Sequence, residues 1–294
     1  MASLAYFRTL LRKISSYCLF LFLLLASSAA EAQNHEVGVW GGVANYFGDL
    51  NTNFSWWYVH PAAGVFYRYN INKRLGAKVA VSYGEVEGND AGSGIESHRQ
   101  RNLSFKSSIA DVSATFEFNF FKYNKNNPKH NGFTPYVAVG LGIFFFNPEA
   151  NYHGKWYYLQ PLGTEGQNDP SYSGVKKYNL YSLHIPIEGG FKIHLKKNWN
   201  INVFASVHKT FTDYLDDVSG TYPSTASLPS GSRGIAAALS DRSGEVPGAE
   251  KIGRAGYQRG ESSKLDDFVF VGVAVSYTFM SLRCPTPSTD WPYR

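Results

Sequence analysis

Ala62-Ala63-Gly64-Val65-Phe66-Tyr67-Arg68-Tyr69-Asn70-Ile71-Asn72-Lys73-Arg74-Leu75-Gly76-Ala77-Lys78-Val79-Ala80-Val81-Ser82-Tyr83-Gly84 decides the fold. Its first limb sets Ala63, Val65, Tyr67, Tyr69 and Ile71 against Gly64, Phe66, Arg68 and Asn70. The second sets Leu75, Ala77, Val79, Val81 and Tyr83 against Gly76, Lys78, Ala80, Ser82 and Gly84. Side chains alternate across a strand, so each limb has one apolar and one mixed face. Asn72-Lys73-Arg74 reverses the chain in a few residues, as a hairpin does.

The same alternation appears six more times. It runs through Glu36 to Phe47, through the Val112, Ala114, Phe116, Phe118, Phe120 series, and through Tyr136 to Phe145. It returns in Ser182 to Ile193, Asn200 to His208 and Phe268 to Phe279. Between Ile109 and Val112 the phase slips, which predicts a bulge or the true strand start there. Leu195-Lys196-Lys197-Asn198-Trp199 is a second short turn. By contrast, Gly48 to His60, Glu85 to Leu103, Asn147 to Asn179 and Asp213 to Asp267 are long connections. A meander puts alternate connections at opposite ends, so short turns mark one end and long loops the other. An even strand count, limbs of about 9–11 residues and aromatic limb ends predict an eight-stranded antiparallel up-and-down transmembrane β-barrel. Tyr46-Phe47, Trp56-Trp57-Tyr58, Phe144-Phe145-Phe146, Trp156-Tyr157-Tyr158, Tyr69, Phe120-Phe121 and Trp199 are the expected interfacial girdles. A secreted sandwich or lipocalin-like barrel also alternates and is the competing fold.

Ahead of the strands, Arg8, Arg12 and Lys13 precede an apolar run from Ile14 to Leu25, and Ala30-Glu31-Ala32 has A-x-A spacing. Residues 1–32 therefore read as a signal peptide, residues 33–280 as the barrel and residues 281–294 as a periplasmic tail. Cleavage removes three basic residues and one acidic residue, lowering the formal charge of +5 to +3. Basic residues are scattered, which disfavours nucleic acid as a partner. Cys284 is the one cysteine of the mature chain, so no internal disulfide forms; a sheltered or intermolecular thiol is expected. Ser219 to Lys264, rich in Gly, Ser, Ala and Pro, is expected to be mobile.

Four constellations invite a chemical reading. Arg68, Lys78 and Lys192 share the polar faces with Asp111, Glu117 and Glu188, either as a salt-bridged plug or as a polar conduit. Ser182 and His184 share a face, but no nucleophile motif surrounds them. Asp213-Tyr214-Leu215-Asp216-Asp217 offers carboxylates for a hard cation or for a solvated rim, without EF-hand spacing. Lys73, Arg74, Lys122, Lys125, Lys129, Lys196 and Lys197 crowd the short-turn end with no acidic residue among those turns. That cluster reads either as head-group contact or as a docking surface for an acidic partner. No zinc, P-loop or dinucleotide pattern is present, and no cofactor is expected.

Several segments resemble the outer-membrane β-barrel component of the type IX (Por) secretion system, the PorG-like family. They are Glu36-Val37-Gly38-Val39-Trp40-Gly41-Gly42 with Tyr46-Phe47-Gly48-Asp49-Leu50, Lys73-Arg74-Leu75-Gly76, Pro135-Tyr136-Val137-Ala138-Val139-Gly140-Leu141-Gly142, Pro186-Ile187-Glu188-Gly189-Gly190-Phe191-Lys192, Thr212-Asp213-Tyr214-Leu215-Asp216-Asp217-Val218 and Arg283-Cys284-Pro285. The resemblance implies a non-enzymatic barrel in outer-membrane lipid. It would anchor a periplasmic ring made of a lipoprotein and its partner. Lys73, Arg74, Lys122, Lys125, Lys129, Lys196, Lys197 and Cys284 are the candidate partner-binding residues. A small passive channel, a structural or adhesive porin-like barrel, and a lipid-modifying enzyme using Ser182 and His184 are the alternatives.

Overall fold

The computed structural model describes residues 35–51, 58–123, 132–168, 176–196, 198–228, 231–248 and 250–279. The leader, Trp56-Trp57 and the tail with Cys284 lie outside them. Nine strands follow in chain order: β1 (His35–Phe47), β2 (His60–Asn70), β3 (Leu75–Asn89), β4 (Ser104–Asn119), β5 (Phe133–Tyr152), β6 (Lys155–Tyr158), β7 (Tyr181–His194), β8 (Trp199–Thr210) and β9 (Asp267–Thr278). β6 is a short flap paired to the far end of β5. The other eight pair antiparallel with their neighbours, and β1 meets β9 from Glu36↔Thr278 to Phe47↔Asp267, closing the wall.

Closure carries a definite stagger. From His35 the partners run Tyr69, Ala77, Phe116, Val139, Ile187, Val207 and Val269, returning to β1 at Asn45. One circuit thus advances about ten residues along eight strands, the shear that strongly tilted strands require. The outward face is apolar all round, including Val39, Val65, Val81, Phe116, Leu141, Leu183 and Val273 in the open. A ring of exposed apolar side chains this continuous is built for hydrocarbon, and the closed wall leaves no open sheet edge in it. This is the build of an outer-membrane β-barrel. Exposed Tyr69, Phe120, Phe133, Phe191, Trp199 and Tyr277 ring the short-turn end, and Tyr83, Phe145, Tyr181 and Phe211 the other.

Two expectations about the wall change. β4 pairs with β3 in unbroken register from Leu75↔Phe118 to Asn89↔Ser104, so it contains no bulge. The slip in its pattern is a change of interior chemistry: Phe105 and Ile109 point inward with Asp111, beneath a cap of loop residues. Tyr46, Phe144 and Phe146 are likewise buried inside and do not belong to a girdle.

The long loops build that cap. Described parts of 219–264 are folded, against the expectation of mobility. Helix Arg233–Ser240 buries Ala236 and Leu239 in a cluster with Leu159, Leu162, Leu215, Val218 and Leu228. Gly260 allows one close approach in it: a Cβ there would stand 2.7 Å from the Ser219 amide nitrogen.

Candidate functional site

The short turns gather as the sequence implies. Asn119 donates its amide to the Arg74 carbonyl (2.7 Å), and Tyr123 donates its amide to that of Lys73 (3.0 Å). Arg74 Nη1 also donates to the Phe120 carbonyl (2.9 Å). Lys73, Arg74, Lys122 and Lys196 are exposed at this end. The chain also enters and leaves the wall here, where Phe279 donates its amide to the His35 carbonyl (3.0 Å). Lys125, Lys129, Lys197 and Cys284 lie outside the described residues. Tyr123, which the sequence pattern does not single out, folds inward beside these lysines. Its hydroxyl donates to Asn200 (2.9 Å), whose amide donates to Thr278 (3.0 Å), closing the lower mouth.

Above that floor the lumen is a charge network. Arg68 Nη1 donates to Glu36 (2.7 Å) and its Nε lies 2.7 Å from Glu117. Lys192 donates to Glu117 (2.6 Å), while Lys78 and Tyr136 both donate to Glu188 (2.5 and 2.6 Å). Glu36, which the sequence reading left out of the charge set, is the fourth carboxylate and also accepts from Ser276. Trp40 packs on Phe204 and Phe270 at 5.3 Å just above. The cavity left at this level is about 30 Å³, room for about one water. A plug describes this interior, and an open conduit does not.

Ser182 and His184 are not brought together. The Ser182 hydroxyl donates to the Leu183 carbonyl (3.3 Å), whereas His184 faces Asp111 (2.6 Å) and His208 (3.1 Å).

The solvated acidic rim expected at Asp213 to Asp217 is instead interior. Asp216 and Asp217 are fully buried and Asp213 nearly so. Asp216 accepts from Tyr46 (2.5 Å) and from the Val218 amide (2.9 Å). Asp217, held at φ 67°, accepts from Tyr178 (2.7 Å) and from Thr164. Asp266 lies 2.9 Å from the same Tyr46 hydroxyl and accepts from the Leu215 amide (3.0 Å). Arg259, also buried, donates to Glu165 (2.9 Å) and to the Asp217 and Ser240 carbonyls (2.6 and 3.1 Å). Arg101 clamps Asp90 through two nitrogens (2.7 and 2.9 Å) and reaches the Arg259 carbonyl (2.6 Å). Among the described residues these carboxylates do not converge on one point as cation ligands would. Burial pushes the Asp213 carboxyl up to about 7 and, against the pull of Arg259, that of Asp217 up to about 6. Asp216 is raised well above the carboxylate range by burial and the Asp49 charge, and Asp266 by burial and the Asp216 charge.

Three solved structures are among those similar to this chain. Neisserial surface protein A is 8% identical over 83% of this chain and 97% of its own, with a TM-score of 0.39. The attachment invasion locus protein Ail of Yersinia pestis is 10% identical over 84% and 99%, with a TM-score of 0.38. Outer membrane protein OprG of Pseudomonas aeruginosa is 10% identical over 85% and 99%, with a TM-score of 0.35. No curated protein matches the sequence. Residues 15–233, well over half of the 294, match the model of the domain of unknown function DUF6089, and the chain belongs to that family.

Proposed function

We propose that this barrel is a non-enzymatic anchor that positions the periplasmic ring of the type IX secretion system at the outer membrane. The observation that carries the reading is the exposed basic set Lys73, Arg74, Lys122 and Lys196, gathered where both ends of the wall emerge. A filled lumen leaves the end surfaces as the parts able to work on a partner, and clustered charge orients such an encounter. The segments quoted above as PorG-like supply the identity of that partner. In this reading residues 1–32 are removed on export, the short turns face the periplasm, and the tail carries Cys284 toward the ring lipoprotein and its companion.

The test is co-purification from native membranes. The wild type should bring down both ring proteins. Joint replacement Lys73→Gln, Arg74→Gln, Lys122→Gln and Lys196→Gln should release them while the barrel keeps its heat-dependent electrophoretic mobility. Undiminished co-purification with that variant refutes the docking surface.

A further inference from the structure

We propose that Asp111, His184 and His208 form a metal site inside the barrel, suited to a borderline divalent ion such as zinc. The three come from β4, β7 and β8, and one ligand atom of each lies within 4.8 Å of the others. All are buried, at 1%, 0% and 3% exposure. Both Asp111 oxygens, His184 Nε2 and His208 Nε2 lack a hydrogen-bond partner. Asp111 Oδ1 stands 2.6 Å from His184 Nε2, but out of line for a hydrogen bond. Unpartnered groups are rare at such depth, and each calls for a ligand.

Charge agrees. The two Nδ1 atoms, 3.1 Å apart, pair with one another, which leaves the Nε2 nitrogens and the Asp111 oxygens as the open ligand atoms. Below the cap, Arg68, Lys78 and Lys192 face four carboxylates, Glu36, Asp111, Glu117 and Glu188, so the lumen has an excess negative charge. Two imidazoles with one carboxylate favour zinc, copper, nickel or iron over calcium or magnesium. Phe144, Phe268 and Phe270 wall the histidines in. Gly142 makes room, since a Cβ there would stand 2.1 Å from His184 Nε2. The cavity of about 30 Å³ beside Asp111 and His208 would hold one water as a further ligand. An ion here ties three strands of the wall together and is captured as the barrel closes.

The full chain, folded from urea in zinc or cobalt and then washed with chelator, tests the site. Wild type should retain about one equivalent of metal, as one site of this kind holds. The cobalt form should show the visible absorption of a tetrahedral centre. His184→Gln and His208→Gln should each cut retention about tenfold, with folding checked by heat-dependent mobility. Should either variant fail to fold, wild type folded with chelator present should unfold at a lower temperature than wild type folded with zinc. Folded wild type that retains no metal, as a purely hydrogen-bonded Asp–His–His relay would, overturns the proposal. So does full retention by His208→Gln, or equal unfolding temperatures with and without zinc. Loss of the ring partners from the quadruple basic variant bears only on docking, so the two ideas fail separately.

Discussion

The hydroxyl of Tyr46, the last inward residue of β1, donates across 2.5 Å to Asp216, a residue 170 positions later in the chain. The same oxygen lies 2.9 Å from Asp266. A phenol has one proton to give, so the second carboxyl joins only by carrying its own. This shared arrangement bolts the loop cap to the rim of the barrel.

Replacing Tyr46 by Phe leaves two buried carboxyls without the hydroxyl they share, at a cost of about 1–3 kcal/mol. The loss should fall on the cap. Limited proteolysis should cut within residues 213–228 faster in Tyr46→Phe, while the barrel keeps its heat-dependent mobility.

The cap should also tighten in acid. Asp213, Asp216, Asp217 and Asp266 hold protons more firmly when folded than when unfolded, because burial penalises the charged form. Their stabilising contribution is complete below about pH 4, where an unfolded Asp titrates. It is lost as pH rises through the folded values, about 6 for Asp217 and about 7 for Asp213. Hydrogen-exchange protection of residues 213–220 should therefore be greater at pH 5 than at pH 8, and the reverse order contradicts this account.

Arg259→Leu should undo the cap more thoroughly. It strands Glu165 and Asp217 in the interior, and breaking a buried pair from one side costs about 3–5 kcal/mol. Arg259→Lys should recover only part, since the planar fork that also bonds two backbone carbonyls is gone. Hydrogen exchange of the cap in increasing urea measures both variants.

In the lumen, Glu117→Gln leaves Arg68 and Lys192 without the carboxylate they share. The barrel should lose about 3–5 kcal/mol, read as a lower urea midpoint in detergent micelles. Wild-type protein in a planar bilayer should pass no steady current, because the network and the Tyr123 floor fill the bore. A stable conductance would show the plug to be open.

Several of these residues were readable in advance. Alternation assigns Lys78, Asp111, Glu117, Glu188 and Lys192 to one face of their strands, and the short connections bring Lys73, Arg74, Lys122 and Lys196 to one end. Tyr46 and Phe144 lie inside and not in a girdle, because aromatics suit a membrane interface and a packed interior equally well. Asp216 and Arg259 sat in stretches whose polar, Gly-rich composition resembles a solvated loop, and burial became visible only with their partners.

The sequence by itself determined the strands, their lipid-facing sides and the asymmetry of the two ends. Each of these follows from a local period of two residues and from connection length. Only the tertiary structure decided which inward groups meet. The ten-residue stagger aligns Asp111, His184 and His208 from three strands, and the cap sets Tyr46 against Asp216. Such contacts depend on closure of the whole wall, a long-range property to which no neighbouring residues along the chain testify.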